Sequence, residues 1–434
     1  PSGDRPPGEL EPVPGHLQAA AASPSPGLDG TLGEGAVALL GPVEAVQDGL
    51  SKWKGCAMAS DGCLYCAPYN SFSVLAISPE TKALTFIEEA GRAGCKWSGV
   101  AAGVDGALYC APCNASTVLV IEPGTRTLSH IEGAGVGEYK WSGIAAASDG
   151  LLYCAPSRAS TVLVVDPISR SLSHIEGAGS GGSKWCGICE GPDRRLYCAP
   201  SMATAVLVVD ASRKSLHRLE GAMDDSSFKY KWSGIARGCD GRLYCSPYNA
   251  SSVLVIDAGA RVLSFIAGAG AGDCKWSGIA SGLDGRLYCV PSRAPMVMVV
   301  DPGEQSLDLA FQEVGRGHSK WSGLCVGLDQ WLYCVPYNSG HVLAIRGGRR
   351  AVGTATAPTG LGNLVSASDP HAQAKEDLLR EFCRMLELAS GVRSKCYREL
   401  CRRWHPDKHP SNLAQATAVF QFLQQLHERI GDLR

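Results

Sequence analysis

The feature that most constrains this chain is a unit of about 44 residues that recurs seven times between residues 50 and 350. Each copy contains Lys-Trp, at 52/53, 96/97, 140/141, 184/185, 231/232, 275/276 and 320/321. Self-similarity at a period of this size indicates a solenoid, a propeller or another repeat array. The fold therefore follows from the secondary structure of one unit.

The unit that begins at Lys140 divides into four short segments with strand character. In order it contains SGIAAA, an Asp-Gly turn, LLYCA, a Pro loop, TVLVVD and SLSHIEG. Asp-Gly suits a tight hairpin because both central positions need positive φ, and the β-branched run suits a buried strand. Four antiparallel strands at this period are typical of a propeller blade. We predict an all-β, seven-bladed propeller, with an open solenoid as the alternative.

The two ends of the repeat array predict how the ring closes. The seventh unit supplies only three clear strands and finishes at HVLAIRGG. Upstream of the first unit, AVALLG at 36–41 resembles the fourth strand of the other units. We predict that this segment completes the last blade, which would leave the ring without a long free edge.

One stretch of the repeat also resembles a known propeller family. The segment LYCAPSRASTVLVVDPISRSLSHIEGA is similar to the YVTN-type repeat, in which Tyr-Val-x-Asn precedes a VxVID strand. It departs from that pattern where Ala-Pro replaces the small-Asn pair and where Lys-Trp-Ser-Gly is added. The resemblance implies the fold and a binding role, without implying a reaction.

The Lys-Trp pairs fall in the loops that enter the first strand of each blade. In a propeller these loops share one face with the Pro loops. That face would therefore carry Lys52, Lys96, Lys140, Lys184, Lys231, Lys275 and Lys320. Such a ring could bind an anionic or extended partner, or the motif could serve blade packing, and both interpretations stay open. The longest loop, 222–231, differs most from the repeat, so we predict partner contacts at Phe228 and Tyr230.

No catalytic constellation stands out in the repeat. Hairpin chemistry explains aspartates such as Asp149. C-x-x-C pairs such as Cys186/Cys189 lack a second pair at zinc spacing. We therefore predict no metal, no cofactor and no enzymatic activity. A propeller enzyme of the lactonase or hydrolase kind is a less favoured alternative, which would need acidic or histidine side chains converging at the axis.

The net charge and the cysteine positions limit which cellular compartment and which kinds of partner are expected. The net charge of −2 gives no general attraction to nucleic acid or to an anionic membrane. No apolar run approaches the roughly 20 residues of a membrane span, and the N-terminus lacks the pattern of a secretory signal. Seven of the 19 cysteines share one repeat position, where neighbouring copies lie too far apart for disulfides. We predict buried thiols in a cytoplasmic or nuclear protein with no nucleic-acid or membrane partner.

Composition changes after residue 350 and predicts a second domain. We expect a disordered Pro/Gly/Ala-rich segment at 1–32, the propeller at 33–349, a flexible linker at 350–370 and a small all-α domain at 371–434. In that last segment Tyr397, Leu400 and Trp404 share one helix face. Pro406 ends this helix, and another amphipathic helix follows from about 413.

The sequence YRELCRRWHPDKHP, followed by an AxxxF helix, resembles the J-domain of DnaJ-like proteins, in particular J-domains placed at C-termini. The usual Tyr-Tyr-x-x-Leu-Gly opening of the family is absent. The resemblance implies a loop that docks on a DnaK-type heat-shock chaperone and stimulates its ATP hydrolysis. Carried over to this chain, the loop is His405, Pro406 and Asp407, and the positive surface is Arg398, Arg402, Arg403 and Lys408.

These observations together predict a co-chaperone adaptor. The propeller would hold a protein partner whose identity the sequence does not specify, and the J-like domain would recruit the chaperone ATPase. The alternative is a pure interaction scaffold whose J-like domain does not stimulate the chaperone.

Overall fold

Seven four-stranded antiparallel sheets form the main body of the chain in a computed structural model. The structure describes residues 36–43, 49–223, 229–310, 313–347, 370–371, 374–375, 378, 381–382, 390–409 and 412–431. The predicted segment 1–32 and residues 350–369 of the predicted linker lie outside the described residues. The domain boundaries placed there stay predictions.

Each sheet is one blade, and six of the seven blades follow the chain without interruption. The strands are, for blade 1, β2 (Trp53–Met58), β3 (Leu64–Pro68), β4 (Val74–Ile77) and β5 (Leu84–Ile87); for blade 2, β6 (Trp97–Ala102), β7 (Leu108–Pro112), β8 (Val118–Glu122) and β9 (Thr127–Ile131); for blade 3, β10 (Trp141–Ala146), β11 (Leu152–Pro156), β12 (Thr161–Asp166) and β13 (Ser171–Glu176); for blade 4, β14 (Trp185–Glu190), β15 (Leu196–Pro200), β16 (Ala205–Asp210) and β17 (Ser215–Glu220); for blade 5, β18 (Trp232–Arg237), β19 (Leu243–Pro247), β20 (Ser252–Asp257) and β21 (Val262–Ala267); for blade 6, β22 (Trp276–Ser281), β23 (Leu287–Pro291), β24 (Val297–Asp301) and β25 (Ser306–Ala310); and for blade 7, β26 (Trp321–Val326), β27 (Trp331–Pro336), β28 (Val342–Arg346) and β1 (Val37–Leu40). The predicted seven-bladed propeller is confirmed.

The seventh blade joins the two ends of the propeller. Strand β1 pairs antiparallel with β28, with Val37 opposite Ile345 and Leu40 opposite Val342. The sheet order of this blade is β1-β28-β27-β26. The predicted closing strand is therefore confirmed, and the ring is held shut by a backbone ladder rather than by side chains alone.

The first strands of neighbouring blades contact one another around the ring, and each carries a β-bulge after its Trp. In β10 the register shifts between Trp141 and Ile144. A Cβ on Gly143 would lie 2.8 Å from the carbonyl oxygen of Cys186 in the next blade. Only glycine permits this approach, so the inner strands of neighbouring blades can pack closely around the axis.

The hydrophobic core lies between blades, not within them. At the interface of blades 2 and 3, Tyr109 and Val120 of one blade pack against Trp141 and Leu163 of the other. The described residues form one such cluster at each of the seven interfaces. Every blade thus buries its faces only by contacting both neighbours, as repeat architectures require.

The cysteines at the shared repeat position are free and buried, as predicted. They are Cys66, Cys110, Cys154, Cys198, Cys245, Cys289 and Cys334. Cys154 lies opposite Ile144 and Leu163 in the sheet of blade 3. Burial raises the pKa of Cys154 well above its usual range, so its thiol stays protonated and acts as a small apolar group.

The Asp hairpin turns lie on one face of the ring, which we call the turn face. In blade 3, Tyr153 donates its hydroxyl hydrogen to Asp149 at 2.6 Å, while the other oxygen of this carboxylate accepts from the amide of Leu151. The same Tyr-Asp bond occurs in all seven blades, at Tyr65–Asp61, Tyr109–Asp105, Tyr153–Asp149, Tyr197–Asp193, Tyr244–Asp240, Tyr288–Asp284 and Tyr333–Asp329. The aspartates therefore fix both the turn and the buried tyrosine.

A residue of the following blade reaches these Tyr-Asp pairs. Lys82 of blade 1 donates to the Tyr333 hydroxyl of blade 7 at 2.7 Å and forms an ion pair with Asp329. Gln305 of blade 6 donates to the Tyr244 hydroxyl of blade 5, also at 2.7 Å. The turn face is thus tied from blade to blade, including across the closing interface.

The described residues after the propeller include the helices α1 (Ser390–Arg403) and α2 (Leu413–Gly431), joined through a 3-10 turn at Pro406–Lys408. Leu400 of α1 is buried against Val419, Leu423 and Leu426 of α2. These helices agree with the predicted small helical domain. No helix in the described part of the chain is both long and apolar enough to cross a membrane.

The buried tyrosines predict a loss of stability at alkaline pH. Burial, with the neighbouring aspartate, raises the pKa of Tyr65, Tyr109, Tyr153, Tyr197, Tyr244 and Tyr333 well above the ordinary value near 10. Above that value the unfolded chain loses these protons while the native chain keeps them, so the free energy of unfolding must fall as pH rises. We expect the urea midpoint to drop between about pH 9 and about pH 11.

Tyrosinate absorbance, followed together with circular dichroism, checks this prediction. Most of the tyrosinate signal should appear only as the native dichroism is lost. Full ionisation near pH 10 in a chain that keeps its native spectrum would contradict it.

Candidate functional site

The Lys-Trp pairs and the Pro loops lie on the face opposite the turn face, which we call the lysine face. Lys96 is only 3% exposed there. Its ammonium group donates to the carbonyl oxygens of Ser71 at 2.7 Å, Ala93 at 3.0 Å and Tyr69 at 3.4 Å. Ser71 and Tyr69 belong to the preceding blade. We call a buried lysine bonded to carbonyls of the preceding blade the lysine clasp.

The clasp recurs around the ring. Ammonium groups donate to carbonyls of the preceding blade at Lys140, Lys184, Lys231, Lys275 and Lys320. Lys52, also buried, joins blade 1 to blade 7 through its backbone amide, which donates to Tyr337 O at 2.8 Å. The structure therefore does not present these lysines as an exposed basic ring, and their role in partner binding stays a prediction. Partner contact by these lysines would require opening the blade interfaces.

Burial has an electrostatic cost for the lysines. Removal from water lowers the pKa of Lys96, Lys184 and Lys320 to about 8. The carbonyl oxygens replace the lost water as acceptors, which is the arrangement a buried ammonium requires.

The neighbouring tryptophans are equally structural. Trp141 donates its indole hydrogen to the carbonyl of Thr161 in the same blade at 2.8 Å. All seven tryptophans make this bond to the residue 20 positions later, and all are buried. The blade-packing interpretation of the Lys-Trp motif, left open by the sequence, is the one this geometry supports.

The loop that departs most from the repeat is described only in part. Phe228 lies outside the described residues. Tyr230 is 44% exposed and has a φ of 61°. Every blade holds the residue before its clasp lysine in this left-handed conformation, as Tyr139 and Ser183 also show. Tyr230 therefore presents an aromatic ring to solvent from a fixed backbone, and its partner-binding role stays a prediction.

Sequence analysis missed a feature of the lysine face that is specific to two blades. Lys54 stands where most blades have the Ser of Lys-Trp-Ser-Gly, and its ammonium lies 5.4 Å from the ring centre of Tyr69. The Tyr69 ring is 5.9 Å from that of Tyr337, across the closing interface. The signal available in the sequence was the departure from the repeat at this one position.

The His405-Pro406-Asp407 loop connects α1 to α2. Pro406 opens the 3-10 turn, and the amide of Asp407 donates to His405 Nδ1 at 3.4 Å. The His405 ring packs edge-on against Phe420, with 5.5 Å between ring centres. The Asp407 carboxylate is 87% exposed. The helix pair thus holds the loop in place while leaving its acidic group in solvent.

The predicted positive surface divides into two parts. Arg398, Arg402 and Lys408 are exposed, and Arg402 forms an ion pair with Glu399 on its own helix. Arg403 points inward instead. Its guanidinium donates to both carboxylate oxygens of Glu381 at 2.9 Å and to the carbonyl of Leu328 at 3.1 Å. Arg403 therefore does not share the exposed surface on which Arg398, Arg402 and Lys408 lie.

Within the described residues, no group of three or more His, Cys, Asp or Glu side chains is arranged to hold a metal ion. The cysteines of the C-x-x-C pairs form no disulfide, and Cys113 is buried while Cys186 and Cys189 are partly exposed.

Solved structures identify the propeller, whereas family models and curated proteins give no match. Virginiamycin B lyase from Staphylococcus aureus superposes with a TM-score of 0.59 at 12% identity, over 72% of this chain and 99% of that one. For a streptogramin B lyase the TM-score is 0.58 at 10% identity, over 71% and 97%. Kuenenia stuttgartiensis hydrazine synthase gives 0.52 at 18% identity, over 69% and 97%. Identities this low establish the fold alone.

These comparisons overturn the prediction that the chain is not an enzyme. Two of the similar structures are lyases, so this propeller architecture carries enzymes. The prediction relied on positions repeated in every blade. A site assembled from residues unique to single blades, such as Lys54, leaves no mark in the repeat, so the repeat could not exclude catalysis.

The lysine clasp predicts a large difference between two neighbouring lysines. Lys231 is 6% exposed and donates to Ala203 O at 2.9 Å, whereas the Lys229 side chain is exposed. We expect Lys231→Met to lower the free energy of unfolding by about 1 to 3 kcal/mol, because a buried carbonyl loses its donor.

The matched control is Lys229→Met, with an expected change under about 0.5 kcal/mol. Urea unfolding followed by tryptophan fluorescence measures both variants. Equal effects at the two positions would rule out a stabilising clasp at Lys231.

Proposed function

We propose that this chain is a co-chaperone adaptor, in which the helical domain recruits a DnaK-type heat-shock chaperone and the propeller holds a protein partner. One observation carries the proposal: His405-Pro406-Asp407 lies in the connection between two packed helices, with the Asp407 carboxylate in solvent. The J-domain resemblance of the same residues supplies the kind of partner.

Charge on the helical domain supports this assignment. Arg398 and Arg402 are exposed on α1, and Lys408 is exposed beside the loop. Arg402 and Arg403 fall in the last turn of α1, where cations interact favourably with the helix dipole. An exposed positive surface next to a rigid acidic loop suits a partner with an acidic groove, and it speeds encounter with that partner.

For the propeller we propose partner contacts through features that differ between blades. The clasp lysines are buried in all seven blades. Tyr230 and the loop 222–231 are specific to one interface and so are better candidates for specificity. The alternative function is an interaction scaffold whose helical domain does not stimulate a chaperone.

The loop histidine provides the first test. We expect the wild-type chain to raise the ATPase rate of a DnaK-type chaperone, and His405→Gln to reduce the stimulation to near the basal rate. His174→Gln, the same change at an exposed outer-strand position of blade 3, is the control and should keep full stimulation.

A steady-state ATPase assay distinguishes the two candidate functions. Absence of stimulation by the wild-type chain would remove the co-chaperone proposal in favour of the scaffold. Because His405 contacts Phe420, circular dichroism of the helices should confirm that the variant is folded.

The arginines of α1 provide an electrostatic test. We expect Arg398→Glu to raise the chain concentration needed for half-maximal stimulation several-fold, with the difference shrinking as salt is added. Arg316→Glu, on a propeller loop where the side chain is 90% exposed, is the matched charge reversal. An equal effect of the two changes would show that net charge, and not the α1 surface, governs the encounter.

A further inference from the structure

The helical domain rests on the turn face of the propeller at blades 7 and 1. Its apolar cluster includes Leu400 and Phe382, and Met58 of blade 1 and Leu328 of blade 7 pack against that cluster. Arg403 adds a hydrogen bond to the carbonyl of Leu328 at 3.1 Å. The described helical residues and the propeller therefore share an interface on the turn face.

Blades 7 and 1 each bring one apolar side chain to this contact. Met58 ends the first strand of blade 1, where the next two blades have Ala102 and Ala146. Leu328 lies in the first hairpin turn of blade 7, as Leu283 does in blade 6, so Met58 is the residue that departs from the repeat. The helical cluster packs on Met58 and Leu328 and covers both side chains.

Relative motion between the helical domain and the propeller is expected. Among the described residues, the propeller side of the interface includes the partly buried side chains of Met58 and Leu328 and the Leu328 carbonyl. Motion between domains of one chain is the default expectation unless their interface is large and hydrophobic. Arg403 keeps its bond to Glu381 in both the docked and the undocked state, because both residues belong to the helical segment.

The interface also lies beside the His-Pro-Asp loop. Arg403 precedes His405 by two residues, and it contacts blade 7 directly. A protein partner covers roughly 800 Å² on each side of an interface, far more than a three-residue loop provides. A chaperone that grips this loop would therefore collide with the turn face while the domain is docked.

We propose that the docked helical domain is an autoinhibited state, in which Met58, Leu328 and Arg403 form a latch that must open before a chaperone binds the loop. The part of this proposal that concerns chaperone binding rests on the proposed function. The latch residues of the propeller, Met58 and Leu328, lie outside the surface assigned to the chaperone, so they can be changed without touching it.

The experiment uses the full chain with Met58→Ser and Leu328→Ser combined. Leu283→Ser is the matched control, because Leu283 occupies the turn position of Leu328 in blade 6 and is not among the residues packed on the helical cluster. Hydrogen exchange of α1 and α2 without chaperone reports docking, and the concentration for half-maximal ATPase stimulation reports the latch.

We expect the double variant to exchange the amides of α1 and α2 at least about fivefold faster and to stimulate at a several-fold lower concentration, with the control like wild type. Unchanged exchange would overturn docking. Faster exchange with unchanged half-maximal concentration would overturn autoinhibition. No stimulation by any form would overturn the proposed function and the latch with it. Leu328→Ser alone replaces the pair if tryptophan fluorescence reports an altered propeller.

Discussion

A buried ammonium group needs acceptors, because a charge taken out of water without partners costs several kcal/mol. In this propeller the acceptors of Lys96 include backbone carbonyls of the preceding blade, so the lysine is satisfied only when both blades are in place. The other positions of Lys-Trp-Ser-Gly act within the blade and between blades. The Trp97 indole donates to Thr117 O of its own blade, whereas Gly99 approaches the next inner strand. The need of each buried lysine for acceptors thus makes the stability of one blade depend on the blade beside it.

The turn face applies the same logic with different groups. There a carboxylate and a phenol form the pair, and at some interfaces a side chain of the following blade bonds to it, as Lys82 does for Tyr333 and Asp329. At those interfaces the two sets of bonds connect neighbouring blades at both rims, while the apolar cluster fills the space between them. The closing interface uses all three and adds the ladder of β1 on β28.

Much of this was predictable from sequence, and the failures have a common cause. Strand order and the closing segment at 36–41 followed from periodicity, since hydrophobic alternation and hairpin turns are local. The burial of the lysines, by contrast, depends on residues of another blade. Lysines in loops are usually exposed to solvent, so the sequence alone predicts exposure. The acceptors that allow Lys96 to be buried, such as Ser71 O, come from the neighbouring blade. The position of Arg403 was missed for the same reason, because its acceptor at Leu328 lies 75 residues away.

Residues found in every blade and residues specific to single blades therefore have different roles in this chain. A residue found in every blade, such as Trp141 or Tyr153, answers a requirement that every interface shares, and its role is to hold the ring. Met58 and Lys54 of blade 1 depart from the repeat instead. Met58 packs on the helical cluster, and Lys54 places a cation beside an aromatic ring on the opposite face. Because the exposed Tyr230 lies between blades 4 and 5, the helical domain and a partner bound at Tyr230 would act on different parts of the propeller.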